Sequence, residues 1–166
     1  MEQVNPQQAV RYAYAAGLID GEGTIRVQRS SASTRGSQYL PHIHMTSTDA
    51  VLVNFMKEPF GGWIYSHQPK SARGSTINCN IAYRWALQGR ENVLHMMKAI
   101  EPYVLLKANH VALMLEFLEE GEKTHPPYPV SDAEVARRTR IFEQFKSLNR
   151  RGRAAAETEW NGGGSK

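Results

Sequence analysis

Residues 14 to 23 read YAAGLIDGEG, and at a spacing of four the small residues Ala9, Ala13, Gly17 and Gly21 fall on one face of a helix. A ridge without side chains lets a second helix backbone approach very closely, as small-xxx-small faces do. The sequence therefore predicts a helix whose outer face is built for contact with another helix, either inside the fold or across an interface. Asn5 before Pro6 starts that helix with a cap residue and a first-turn proline. Gly21 and Gly23 stop it near Asp20. Asp20 and Glu22 flank the stop, where the helix dipole disfavours acids unless a cation offsets them. A divalent metal is one such cation. Hard metals such as magnesium take carboxylate and carbonyl oxygens and keep waters that can attack a phosphodiester.

The next segments change period. TIRVQR, residues 24 to 29, alternates with Ile25 and Val27 on one side and Thr24, Arg26 and Gln28 on the other. Residues 38 to 46 alternate again, setting Ile43 and Met45 against Gln38, Leu40, His42, His44 and Thr46. Thr48 to Lys57 reads as a short helix closed by Pro59 and the Gly61–Gly62 pair. WIYSHQ from Trp63 and TINCNIAYRWAL from Thr76 read as two further strands. In the second of these Ile77, Cys79, Ile81, Tyr83, Trp85 and Leu87 oppose Thr76, Asn78, Asn80, Ala82, Arg84 and Ala86. Helices follow at about 90 to 100 and 102 to 120. A last one to about Asn149 opens on a Ser131–Glu134 capping box, with Val135, Phe142, Phe145 and Leu148 as its core stripe.

This order predicts an α+β fold, an αββαββα core with C-terminal helices. A four-stranded antiparallel sheet is covered on one face by helices and wet on the other. Residues 1 to 149 form a single domain. The tail from 150 to 166 reads as disordered, and its GGGSK end resembles a linker.

Charge narrows the partner. The net charge is +4, and its distribution says more than its size. Between Gly23 and Tyr83 the only acids are Asp49 and Glu58, against Arg26, Arg29, Arg35, Lys57, Lys70 and Arg73. A second basic cluster runs from Arg137 through Arg138 and Arg140 to Arg153, while Glu116, Glu119, Glu120 and Glu122 gather elsewhere. Two basic regions set apart from an acidic one suggest a side that faces a polyanion; a solvated surface of mixed sign is the alternative. No apolar run approaches the ~20 residues of a membrane span and no signal-peptide pattern opens the chain. A single cysteine, Cys79, excludes an internal disulfide framework.

AAGLIDGEG resembles the signature of the LAGLIDADG homing endonucleases, with Ala15 for the first leucine, Gly21 for alanine and Glu22 for the second aspartate. The predicted element order over residues 6 to 149 is similar to that family as well. The resemblance implies a homodimeric, site-specific DNA endonuclease that cuts a long pseudo-palindromic target. It implies catalytic roles for Glu22, Lys107, Asp20 and Ser47, with metal held by Glu22 and the Gly21 carbonyl. The metal would be Mg2+, for which Ca2+ or Mn2+ could substitute. Asp20 would act more at the helix end than on the metal. Lys107, in EPYVLLK, would polarise the scissile phosphate or attacking water; an ordinary exposed helix lysine is the other reading. Relatives with one motif often carry glutamine or arginine near the end of the second strand. Here MTSTDAV offers Thr46, Ser47 and Asp49.

By the same resemblance the sheet would lie as a saddle in the major groove of double-stranded DNA. Thr24, Arg26, Gln28, Ser30, Gln38, Leu40, His42, His44, Trp63, Tyr65, His67, Asn78, Asn80 and Arg84 would then contact DNA. Ala9, Ala13, Ala16 and Gly17 would form the dimer interface through the first helix. His42 and His44 also read as a metal pair, for which no third ligand presents itself. A small-molecule substrate and a membrane are not expected. The site of action would be intracellular, wherever the host intron or intein DNA lies (cytoplasm, nucleoid or organelle). Two other readings stand beside this one: a cleavage-defective relative acting as intron RNA maturase or DNA-binding repressor, and a dimerisation module without nucleic acid.

Overall fold

The computed structural model describes residues 5–30, 38–68, 81–121 and 130–150. The element order is α1 (Pro6–Glu22), β1 (Gly23–Ser30), β2 (Gln38–Ser47), α2 (Ala50–Phe60), β3 (Trp63–His67), β4 (Ala82–Gln88), α3 (Arg90–Ile100), a 3-10 turn (Glu101–Tyr103), α4 (Ala108–Glu119) and α5 (Asp132–Leu148). The four strands form one antiparallel sheet in the order β1-β2-β4-β3. The αββαββα core and the trailing helices are as the sequence predicts.

Alternation decides the two faces. Ile25, Ile43, Met45, Trp85 and Leu87 are fully buried and face the helices. Ile19 of α1, Met96 and Met97 of α3, Met114 of α4 and Phe145 of α5 pack into the same core. Trp85 completes its burial by donating its indole N–H to the Gly61 carbonyl at 2.8 Å. Gly62, at φ 82°, is the residue this approach requires, because a Cβ there would stand 2.3 Å from the Ala86 carbonyl oxygen.

Several boundaries differ from the sequence reading, each for a local reason. α1 runs through Gly21 to Glu22, since one glycine in a helix costs only about 1 kcal/mol. Gly23 is the true stop: a side chain there would collide with the Ile19 backbone at 2.7 Å. α2 begins after Asp49, whose carboxylate accepts the Val51 amide at 2.8 Å, and passes through Pro59 to Phe60. A proline in a last turn forfeits one amide without breaking the helix. The span 102 to 120 is not one helix; the 3-10 turn and a four-residue connection precede α4.

α5 turns a different face inward from the one expected. Ile141 and Phe145 are buried and Phe142 half-buried, whereas Val135 and Leu148 are exposed. Buried Glu134 takes the first inward position. Asn78, Asn80, Cys79 and the 151–166 tail lie outside the described residues. Among the described residues no helix is long and apolar enough to cross a membrane.

Candidate nucleic-acid interface and motif acids

The last turn of α1 carries carbonyls that no helical amide can reach. One cation serves two carbonyls there: the Lys107 ammonium donates at 2.7 Å to the Ile19 carbonyl, which also accepts the Gly23 amide, and to the Asp20 carbonyl. Asp20 answers in the other direction. Its carboxylate, 8% exposed, accepts the Leu105 amide at 2.8 Å and the Lys107 amide at 2.9 Å. The cation that the acidic helix end requires is thus supplied by the chain itself. Lys107 is buried and is not an exposed helix lysine. It stands at the N-terminal boundary of α4 and its ammonium points back into α1 rather than outward to solvent. Asp20 is committed to two amides.

Glu22 is different. It is exposed, and among the described residues its carboxylate has no hydrogen bond or ion pair. The Gly21 carbonyl lies in the same last turn, after which the chain leaves the helix. Among the described residues no group of three or more histidines, cysteines or acids is placed to hold a metal ion. At this helix end the described residues offer a divalent cation the Glu22 carboxylate and the Gly21 carbonyl. This hard-oxygen pair suits magnesium, provided phosphate oxygens and waters complete the shell. Ser47, at the end of β2, uses its hydroxyl to accept the Asp49 amide at 3.0 Å, closing the turn into α2.

The wet sheet face follows strand parity closely. Arg26 stands opposite His42, Thr24 opposite His44, Gln28 opposite Leu40 and Ser30 opposite Gln38. Arg84 faces Thr46 on one side and Tyr65 on the other, and Ala86 stands between His44 and Trp63. Gln28, Gln38, Leu40, Trp63, Tyr65 and His67 are exposed on this face. The two arginines are braced, not loose. Arg26 donates from Nε to His42 Nδ1 at 3.1 Å. Arg84 donates from Nε to the Thr46 hydroxyl at 3.1 Å and from Nη1 to the Tyr65 hydroxyl at 3.2 Å.

Burial first, and then Arg26 and Arg84, push the His42 pKa down to about 4. His44 falls to about 4 through burial, His42 and the same arginines. Their rings lie 5.1 Å apart. With His42 Nδ1 engaged by Arg26 and no third ligand alongside among the described residues, the pair is not arranged there as a metal site. Gln88, opposite His42 on β4, also belongs to this face; the alternation of the last strand, carried one step further, would have included it.

The ridge on α1 is open. Ala13, Gly17 and Gly21 are exposed and Ala9 half-buried, and a Cβ added at Gly17 or Gly21 would meet nothing within 4 Å. Ala16 does not belong to it. It is fully buried, because its direction around α1 is shared with Tyr12 and Ile19, which face the core. Apolar side chains flank the ridge, with Val10 70% and Tyr14 50% exposed. The sequence reading did not single these out, although Val10 and Tyr14 lie one position beyond Ala9 and Ala13.

The C-terminal arginines are committed elsewhere. Arg137 and Arg138 both donate to Glu134, and Arg137 also reaches the Glu116 and Phe117 carbonyls at the end of α4. Arg140 pairs with Glu116 at 2.7 Å. Burial opposes ionisation of Glu134, but the two guanidinium hydrogen bonds outweigh it and hold its pKa below the ordinary carboxylate value. These residues staple α5 to α4. Arg137 and Arg138 thus spend their charge on Glu134, and Arg140, still more than half exposed, pairs with Glu116.

No family model and no curated protein matches the chain. Solved structures do. The chain superposes on the homing endonuclease I-CvuI, solved in complex with a DNA target, with a TM-score of 0.69 at 16% identity over 90% of this chain and 88% of that one. The archaeal intron-encoded homing endonuclease I-Vdi141I, complexed with DNA, gives 0.63 at 16% identity over 86% of each chain. The LAGLIDADG homing endonuclease I-SmaMI, bound to cleaved DNA, gives 0.50 at 18% identity over 83% of this chain but 40% of that one. The fold of this chain is that of these homing endonucleases, and the likeness first visible in AAGLIDGEG extends over the whole architecture.

Proposed function

We propose that this chain is a LAGLIDADG homing endonuclease, a homodimeric, metal-dependent enzyme that cleaves both strands of a pseudo-palindromic DNA target. The observation that carries the reading is the juxtaposition at the end of α1: a free Glu22 carboxylate beside an uncovered small-residue ridge, at the margin of a polar sheet face. Glu22 and the Gly21 carbonyl would hold a divalent cation, which when bound supplies charge stabilisation at the scissile phosphate and a nearby water as nucleophile.

The chain's own residues supply the frame. Asp20 and Lys107 fix the last turn of α1, which carries the exposed Glu22 and Gly21. Lys107 also places positive charge behind the motif, where it would favour the developing negative charge of the reaction. Each chain carries one motif, and cutting two strands needs two. A second copy crossing at Ala9, Ala13, Gly17 and Gly21 would bring its own Glu22 close to the first, and two-fold symmetry would then be imposed on the target. The apolar flanks Val10 and Tyr14 would be covered in the same contact.

The sheet face would read the major groove. Arg26, Gln28, Gln38, His44, Arg84 and the exposed rims of Trp63, Tyr65 and His67 offer donors, acceptors and apolar edges suited to base pairs, while His42, 8% exposed, is engaged by Arg26. The protein would act wherever its host intron or intein DNA lies.

The Ser47 hydroxyl, engaged by the Asp49 amide in a stretch, MTSTDAV, that carries no glutamine or arginine, favours a second reading, a relative that binds nucleic acid without cutting. Selection of binding sites from a randomised duplex library separates the two. Incubating the selected duplex with magnesium should then give double-strand breaks. Selection of a palindromic duplex that stays intact in magnesium and manganese would support the binding-only relative; no selected duplex at all would sink the endonuclease and any DNA-binding relative.

A further inference from the structure

We propose that His42 is a positioning residue for Arg26. By taking the Nε hydrogen, it holds the two terminal guanidinium nitrogens outward as a fork that pairs with the two major-groove acceptors of one guanine. This rests on the sheet face being the DNA-reading surface.

Arg26 and His42 stand directly opposite in the β1–β2 register, and the Nε to Nδ1 distance is 3.1 Å. A guanidinium has five N–H groups, one on Nε and four on the terminal pair. Spending Nε on His42 leaves the terminal pair intact, and among the described residues neither terminal nitrogen has a partner. That is the geometry a bidentate contact with guanine O6 and N7 needs. Arg84 provides the contrast. Its Nη1 already donates to the Tyr65 hydroxyl at 3.2 Å, so its fork is half spent.

His42 can serve as acceptor only as the neutral ring with its hydrogen on Nε2. Burial, with Arg26 and Arg84 close by, keeps it neutral down to about pH 4. The ring has little freedom, being 8% exposed and tilted against His44 at 5.1 Å. Fixing an otherwise mobile arginine before binding lowers the ordering cost at that contact.

The test uses the full chain, binding-site selection, and affinities for the selected duplex and an unrelated one. Arg26→Ala should relax base preference at one symmetry-related pair of positions. His42→Phe, which keeps a ring without the acceptor, should relax the same positions and weaken the selected duplex about tenfold, within the range of one bidentate contact. Affinity for the unrelated duplex should change less than about twofold, because phosphate contacts carry it. His42→Asn, which retains an acceptor, should keep most of the preference. The double change Arg26→Ala with His42→Phe should be no weaker than Arg26→Ala alone.

His42→Phe leaving the preference intact, or relaxing positions other than those of Arg26→Ala, would overturn the assignment. Nitrogen-15 spectra of the unmutated protein give an answer independent of variant folding: a hydrogen on His42 Nδ1 instead of Nε2 also overturns it. If Arg26→Ala and Arg84→Ala both leave the selected sequence unchanged, the reading of the sheet itself has failed, and the role of His42 with it.

Discussion

Asp20 and Lys107 hold each other from both ends: the Asp20 carboxylate accepts the Lys107 amide at 2.9 Å, while the Lys107 ammonium donates back to the Asp20 carbonyl. Residues 87 apart in sequence thereby lock the last turn of α1 to the start of α4. Removing either partner leaves buried polar groups without their bonds, which costs about 1–3 kcal/mol per group. Asp20→Ala and Lys107→Met should each lower the melting temperature and slow cleavage, seen by calorimetry and by single-turnover nicking. A Lys107→Met protein of unchanged stability would contradict its helix-end role.

Glu22→Gln should behave in the opposite way. Among the described residues the carboxylate is exposed and has no hydrogen bond or ion pair, so neither folding nor DNA binding in calcium should change by more than about 0.5 kcal/mol, as for surface substitutions generally. Cleavage in magnesium should disappear. Loss of binding together with cleavage, with the fold intact, would remove Glu22 from the metal.

Gly17→Leu tests assembly. Nothing lies within 4 Å of a Cβ at this position, so the monomer gains no clash. The variant should fold with its usual circular dichroism spectrum but run as a monomer in light scattering, because leucine separates the crossing helices. A dimer that persists would place the interface elsewhere.

His42 and His44 make stability depend on pH. In the folded chain both titrate near pH 4, whereas in the unfolded chain they titrate near 6.5. Between these values the unfolded state binds more protons, so their contribution is complete above about pH 6.5 and is lost progressively as pH falls toward 4. Urea denaturation at pH 7.5 and 5 should show the midpoint dropping at the lower pH. His44→Phe should reduce that drop, and an undiminished drop would assign it to other groups.

Arg137 separates architecture from DNA contact. Arg137→Ala leaves the Phe117 carbonyl without its guanidinium, the Glu116 carbonyl with only the Glu120 amide, and Glu134 with one guanidinium in place of two, a loss of about 1–3 kcal/mol in stability. The slope of log affinity against log salt should stay unchanged. A slope flattened by about one per protomer would restore this residue to the phosphate contacts.

Features with a short repeat were legible in the sequence by itself. Alternation in TIRVQR and in residues 38 to 46 fixed which side chains of β1 and β2 lie on the polar face of the sheet, because the period of two is a property of the strand. The period of the helix did the same for the open ridge at Ala13, Gly17 and Gly21. Tertiary structure decided the partners. That Ala16 turns into the core, that α5 presents Glu134, Ile141 and Phe145 inward, and that Arg137 spends its charge on α4 all depend on which element packs alongside. Lys107 is the clearest instance. Its place in EPYVLLK suggested a lysine near the chemistry, but the ammonium is buried only because the fold brings the end of α1 within reach of its nitrogen. Local periodicity sets the direction in which a side chain leaves the backbone; long-range packing decides what it meets there.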